Sequence, residues 1–136
     1  MAKEKINIIG GKRKTSVAKA RIVKGSGKIV VNNLLHTNLN NIHKLLLEEP
    51  LRISKEFIKE GDFDIVIKVS GGGRESQIQA ARLAIAKALL DKSKSQKLKE
   101  AFTNYDKHLL VADVRRKEAY KPDDSKARAK RQSSKR

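Results

Sequence analysis

The chain has no cysteine, so disulfides and thiolate metal sites are excluded, which is compatible with a reducing compartment. No apolar run approaches the roughly 18 residues of a membrane span. The first residues lack the apolar core of a signal peptide, and a strand-like apolar pattern begins by Ile6, unlike a transit peptide. An intracellular, soluble protein with no membrane contact is expected. Acidic residues are missing from a long stretch: none occurs between Glu4 and Glu48, while nine Lys or Arg fall there. Beyond Val114 there is no Val, Ile, Leu, Met or Phe, and Tyr120 is the one large apolar side chain. Catalytic constellations are absent too. His36, His43 and His108 have no metal-ligand spacing, no two carboxylates form an acid–base pair, and no serine has a His–Asp context. Neither a cofactor nor a small-molecule substrate is expected.

What is present is positive charge. The formal net charge is +17 and the sequence pI about 10.3, within the range of nucleic-acid binders. Lys outnumbers Arg 22 to 10. Lys meets phosphate as a mobile point charge without the planar fork of Arg, which favours backbone binding over base reading. The last 24 residues, Asp113 to Arg136, hold ten Lys or Arg against four acids, a net +6. Such a segment buries too little apolar surface to offset the entropy of ordering its backbone. The expected division is a globular body, 1–112, and an extended basic C-terminal arm, 113–136, that is disordered alone and ordered against a polyanion. A solvated solubility tail is the alternative for the arm by itself.

In chain order, Ile6 to Ile9 reads as a strand that turns at Gly10-Gly11, with Lys12, Arg13 and Lys14 in the turn. Val17 to Lys24 alternates, with Ala18, Ala20 and Ile22 on one face and Lys19 and Arg21 on the other. Gly25-Ser26-Gly27 then turns the chain so that Lys28 to Val31 returns as a hairpin partner. A hairpin with cations only suggests a surface shaped for phosphates. Asn41 to Glu49 reads as a helix capped by Asn40 or Asn41 and ended near Pro50. Leu51 to Glu60 follows as a second helical segment stopped by Gly61. Asp62 to Ser70 is a strand with Phe63, Ile65, Ile67 and Val69 inward. After Gly71-Gly72-Gly73 comes the clearest helix, about Glu75 to Leu90, with Ile78, Ala81, Ile85 and Leu89 on one face. A shorter helix over Lys94 to Phe102 and an extended piece from His108 to Val111 complete the body. The predicted class is α+β, helices packed on a sheet of about four strands. The glycine loop lacks the Lys-Ser/Thr of a P-loop and the spacing of a dinucleotide loop, so it reads first as a tight turn and second as an anion site.

Several of these stretches resemble one family. GKRKTSVAKA (Gly11 to Ala20), the Gly25-Ser26-Gly27-Lys28 turn, the triple-glycine loop with Gln77 and Arg82, DVRRKE (Asp113 to Glu118) and the ending KARAKRQSSKR are similar to the small-subunit ribosomal protein S-nine family. Glu49-Pro50-Leu51, Leu109-Leu110-Val111 and Ala127 to Gln132 look closer to its archaeal and eukaryotic members. The resemblance implies an α/β two-layer sandwich of the ribosomal S-five second-domain type, with a left-handed crossover that runs against the usual rule. It implies a cytoplasmic, non-enzymatic place in the head of the small ribosomal subunit, on ribosomal RNA and among neighbouring head proteins. The cations expected on RNA are Lys12, Arg13, Lys14, Lys19, Arg21 and Arg74 of the body. From the arm they are Arg115, Arg116, Lys117, Lys121, Lys126, Arg128, Lys130 and Arg131. By the same resemblance the tip, Ser134, Lys135 and Arg136, reaches the peptidyl-site tRNA. Two other classes share the charge: an RNA-modifying or phosphotransfer enzyme, for which no nucleophile, base or nucleotide loop can be assigned, and a histone-like DNA compactor, which would prefer duplex.

Overall fold

The computed structural model describes residues 7–58, 62–132 and 134. Within them lie five strands, β1 (Ile9–Arg13), β2 (Ser16–Lys24), β3 (Ile29–Val31), β4 (Leu34–Leu35) and β5 (Phe63–Ser70). Three α-helices accompany them, α1 (Asn41–Ser54), α2 (Arg74–Ser93) and α3 (Gln96–Tyr105), with 3-10 turns at His36–Asn38 and Lys107–Leu109. The strands form one sheet in the order β1-β2-β5-β3-β4. β3 and β5 run parallel and the other neighbours antiparallel. The architecture is α+β, with α2 packed across β1, β2 and β5 and α1 packed on α2.

Alternation decides which side of the sheet is covered. Ser16, Ala18 and Ala20 of β2 are buried while Val17, Lys19 and Arg21 are exposed. On β5, Phe63, Ile65, Ile67 and Val69 are buried and Lys68 is exposed. The small side chains of β2 match the alanines of α2, of which Ala80, Ala81, Ala84, Ala86 and Ala88 are all buried. Small residues on both surfaces let the helix backbone come close to the sheet, and alanine is also the best helix former. The approach is close at Gly11, where an added Cβ would lie 2.2 Å from the Ala80 carbonyl oxygen. α2 ends where Lys94 turns left-handed, φ 50°, its amide donating to the Leu90 carbonyl. α3 starts on Ser95, whose side chain accepts from the Leu98 amide, as an N-cap does. Leu98, Phe102 and Leu109 then close the core, each fully buried large side chain stabilising by about 1.5–3 kcal/mol.

Several sequence expectations are corrected. Gly10 and Gly11 do not turn the chain. They lie inside β1, Gly11 because α2 leaves no room for a side chain, and the turn falls at Lys14-Thr15. β3 is not the hairpin partner of β2, because β5 lies between them. The Gly25-to-Lys28 loop is held to β5: the Asp64 carboxylate accepts the Ser26 and Lys28 amides at 2.8 Å each, and the Gly27 amide donates to the Phe63 carbonyl. Pro50 does not end α1, which runs on to Ser54. Leu47, Pro50 and Ser54 are buried along one face, so packing offsets the hydrogen bond a mid-helix proline removes. The separate helix expected after Leu51 is therefore the end of α1, followed by a turn. Asn40 is the N-cap residue but makes no side-chain capping bond. α3 starts and ends later than expected, and His108 lies in a 3-10 turn and not an extended piece. Ile6, Glu60 and Gly61, on which strand and helix limits were expected, lie outside the described residues.

Candidate nucleic-acid interface

The face of the sheet away from the helices carries the cations. Register places Lys12 of β1 beside Val17, and Lys19 of β2 directly opposite Lys68 of β5. Arg21 pairs with Val66, and Val30 of β3 lies beyond. Lys12, Lys19, Arg21 and Lys68 are exposed. Like charges directly opposite in an antiparallel pair are destabilising, so the Lys19–Lys68 pair is tolerated in the free chain and relieved by an anion laid across it. The acid on this face, Asp64, is engaged by backbone amides, first that of Lys28, which hold its carboxyl below the usual range. Valines fill the gaps and the outward-facing paired positions hold no aromatic ring, Phe63 being buried on the core side, so the surface offers phosphate contacts and no base-stacking platform. Lys68 is a site residue that sequence reasoning missed. Its outward position was legible in the strand's alternation, but its pairing with Lys19 depends on a long-range register.

At one end of this face lies the two-residue turn. Lys14 is exposed and holds φ 50°, a conformation that glycine or asparagine adopts more cheaply. The turn rests on the glycine loop. Gly71 and Gly72 take φ +76° and +64°, and a Cβ on either would strike Thr15 or Ser16. The Gly71 carbonyl accepts from Ser16 Oγ at 2.8 Å and Gln77 Nε2 at 3.0 Å, and the Gly73 amide donates to Ser76 Oγ at 3.1 Å. These bonds make the loop a tight turn, as its composition suggests. Arg74 follows it, exposed at the start of α2.

Arg13 faces the other way. It pairs with the buried Ser16 in the β1–β2 register, donates from Nε to Gln79 Oε1 at 2.8 Å, and has Nη1 2.9 Å from Asp113 Oδ2. Beyond that ion pair the described part of the arm has no helix or strand and is mostly exposed. Arg115 grips Asp113 through its side chain and amide, and with Arg13 nearby holds that carboxyl far below the usual range. Arg128 reaches Glu118 at 2.9 Å and Arg131 reaches Asp123 at 3.1 Å. These pairs are exposed and contribute little, so a phosphate exchanges readily for the carboxylate. Arg116, Lys117, Lys121, Lys126 and Lys130 are exposed, as is Ser134. Lys135 and Arg136 lie outside the described residues.

The remaining charged clusters are internal. Arg82 of α2 donates from Nε to Glu49 of α1 and from both Nη atoms to Asp106 at 3.1 Å, tying three helical segments together. Burial pushes the Asp106 carboxyl up, but the His108 amide and Arg82 outweigh it and hold it low. His36 and His43 each meet one carboxylate, Glu48 at 3.2 Å and Glu75 at 2.7 Å. Among the described residues no three His, Cys, Asp or Glu come together as a metal site.

Fold and surface together define a small basic α+β protein whose open sheet face suits a polyanion. The model of the family described as ribosomal protein S9/S16 matches residues 11–136. A protein named small ribosomal subunit protein uS9 in Methanococcus vannielii is 42% identical over 127 residues, covering 91% of this chain and 93% of its own. Proteins of the same name in Methanococcus maripaludis and Picrophilus torridus are each 43% identical, over 127 and 125 residues, with 91% of this chain covered and 93% and 92% of theirs. The chain therefore belongs to the ribosomal protein S9/S16 family, and these relatives are archaeal. Membership makes it a structural, non-enzymatic protein.

Proposed function

We propose that this chain is a structural component of the small ribosomal subunit that holds ribosomal RNA of the subunit head against its open sheet face. The observation that carries the reading is the face itself, where Lys12, Lys19, Arg21 and Lys68 stand exposed and two lysines face each other across strands. Lys14 and Arg74 extend the cationic surface around the turn. The body, 1–112, docks through this face, and the arm, 113–136, neutralises phosphates through Arg115, Arg116, Lys117, Lys121, Lys126, Arg128, Lys130 and Arg131. We assign the sandwich to the ribosomal S-five second-domain type, the β3–α1–β5 connection being the left-handed crossover. Neighbouring head proteins meet the other side, where Ile42, Leu45 and Tyr105 are exposed around an apolar groove whose cation, Arg52, is paired with Glu48. The cytoplasmic ribosome is the working location, and among the described residues no helix is long and apolar enough to cross a membrane.

Salt dependence of binding to a small-subunit ribosomal RNA transcript tests the reading. For every phosphate no longer neutralised, the slope of log K against log salt falls by about 0.7–0.9. Replacing Lys12, Lys19, Arg21 and Lys68 together by Gln should lower it by about 3, and an unchanged slope would refute the sheet face as the binding surface. The tip, Ser134 to Arg136, touches the peptidyl-site tRNA in this reading. Its deletion should leave assembly intact and raise the tRNA off-rate from purified subunits. Equal off-rates at full occupancy would remove that interaction.

A further inference from the structure

Arg13 lies in the basic GKRK segment between Lys12 and Lys14, yet it shares neither their face nor their exposure. Strand alternation turns Lys12 outward and Arg13 toward the helix layer, where it pairs with Ser16, which is fully buried. Its side chain is 14% exposed, and that of Asp113, its ion-pair partner, 12%. By contrast Arg128 and Arg131 of the arm are 87% and 73% exposed. The guanidinium is held at two points: Nε donates to Gln79 of α2, and the buried Nη1, which makes no hydrogen bond, lies 2.9 Å from Asp113 Oδ2 as an ion pair. Asp113 in turn accepts from the Arg115 amide at 2.9 Å and from its Nη2 at 2.7 Å. One carboxylate thus joins the end of β1, through Arg13, to the first residues of the arm.

The geometry points to Arg13 as the anchor that fixes where the basic arm leaves the body, a positioning residue that does not itself bind phosphate. Asp113 follows closely on Leu109, which is fully buried in the core, so it is the first arm position at which the chain could swing free. An ion pair to a rigid strand end there fixes the arm's starting direction. It tethers the arm, through Asp113 and the Arg115 bound to it, to the strand end that Lys14 follows in sequence. A phosphate taken by Arg13 would have to displace Asp113, which Arg115 alone would then hold, and would break the link between strand and arm. The exposed lysines beside it reach a phosphate without that loss.

The test uses the full chain and two readouts. The first, without RNA, is the amide heteronuclear NOE of residues 113–116. In the natural protein these residues should be more rigid than 121–130, and Arg13→Gln should lower them to the values of the rest of the arm. Asp113→Asn, which lies outside the core and does not threaten folding, should do the same. Unchanged NOE values in either folded variant would overturn the anchor. The second readout is the salt slope on a small-subunit ribosomal RNA transcript and rests on the proposed function. Arg13→Gln should displace the binding line downward several-fold and parallel to the original. A slope lowered by about 0.7–0.9, the signature of one phosphate fewer neutralised, would overturn the inference. Lys12→Gln is the control that must show that drop. If it does not, the sheet-face reading fails, while the NOE result still decides the anchor.

Discussion

Gly10 and Gly11 are adjacent, both inside β1, and should respond to alanine in opposite ways. At Gly10 an added Cβ has nothing nearer than the Ala18 carbonyl oxygen at 4.0 Å. At Gly11 it would lie 2.2 Å from the Ala80 oxygen, 2.8 Å from the Ala84 nitrogen and 3.1 Å from the Ala84 Cβ. Two of those three atoms are helix backbone, so no rotamer change relieves the clash and α2 must move away by more than about 1 Å. Overpacking a tight core costs about 1–3 kcal/mol, and a clash against backbone belongs at the upper end. Replacing glycine also restricts the unfolded chain, which returns about 0.4–1 kcal/mol. Gly11→Ala should therefore destabilise by at least about 2 kcal/mol, a large fraction of the roughly 5–15 kcal/mol typical of a domain. Gly10→Ala should be neutral or stabilise by about 0.5 kcal/mol. Urea unfolding of the full chain measures both, and with slopes of about 1–3 kcal/mol/M the Gly11→Ala midpoint should fall by about 0.7–2 M. Equal midpoints for the two variants would refute the close approach of α2 to β1, and with it the reason given for a glycine inside the strand.

Arg82→Met should destabilise by about 1–3 kcal/mol, because it leaves Glu49 and Asp106 partly buried without their cation; a double-mutant cycle with Asp106→Asn should show coupling, and strict additivity would deny the link. Lys68→Gln should move two measurements in opposite directions: removing the cross-strand repulsion raises the stability of the free protein at low salt by a few tenths of a kcal/mol, while RNA binding weakens. Reduced stability in that variant would show that Lys19 and Lys68 do not repel. Stability should also depend on acid. Burial pushes Glu48 and Asp106 up, but their hydrogen bonds and cations prevail and leave both folded-state values depressed. Below the unfolded-state values of about 3.9–4.3 the unfolded chain binds more protons, so this contribution is complete above about pH 5 and lost as pH falls through the depressed values. Urea midpoints of the natural chain should be flat from about pH 7 to 5.5 and fall below about pH 4.5, and Arg82→Met should show a shallower fall. A midpoint that rises on acidification would contradict the sign.

Local pattern carried β2 and β5, because each buries one face against the core and its residues repeat at a period of two, whereas α2, buried almost all round from Ala80 to Leu90, was legible from its long run of strong helix formers. Local pattern also carried the family, the non-enzymatic class and the acid-free run that becomes the sheet face. The pairing of β3 with β5 was not legible. The Gly25-Ser26-Gly27 signal is a genuine local turn, but Asp64, 38 positions beyond Ser26, decides that the loop binds to β5 and leaves β2 free to take β5 as its neighbour. For the same reason the pairing of Lys68 with Lys19 was hidden, since register between distant strands leaves no local mark. Gly11 and Pro50 read as a turn and a helix end because glycine and proline usually punctuate. Here one yields to the close approach of α2 and the other to burial on α1. Arg13 shows the same division most sharply. Composition groups it with Lys12 and Lys14, whereas the pleat of β1 turns it to the opposite side, where Nε donates to Gln79 and Nη1 forms an ion pair with Asp113. Residue type alone determined that this chain is cationic. Only tertiary structure decided which cations face outward, because the side a strand buries is set by what packs against it.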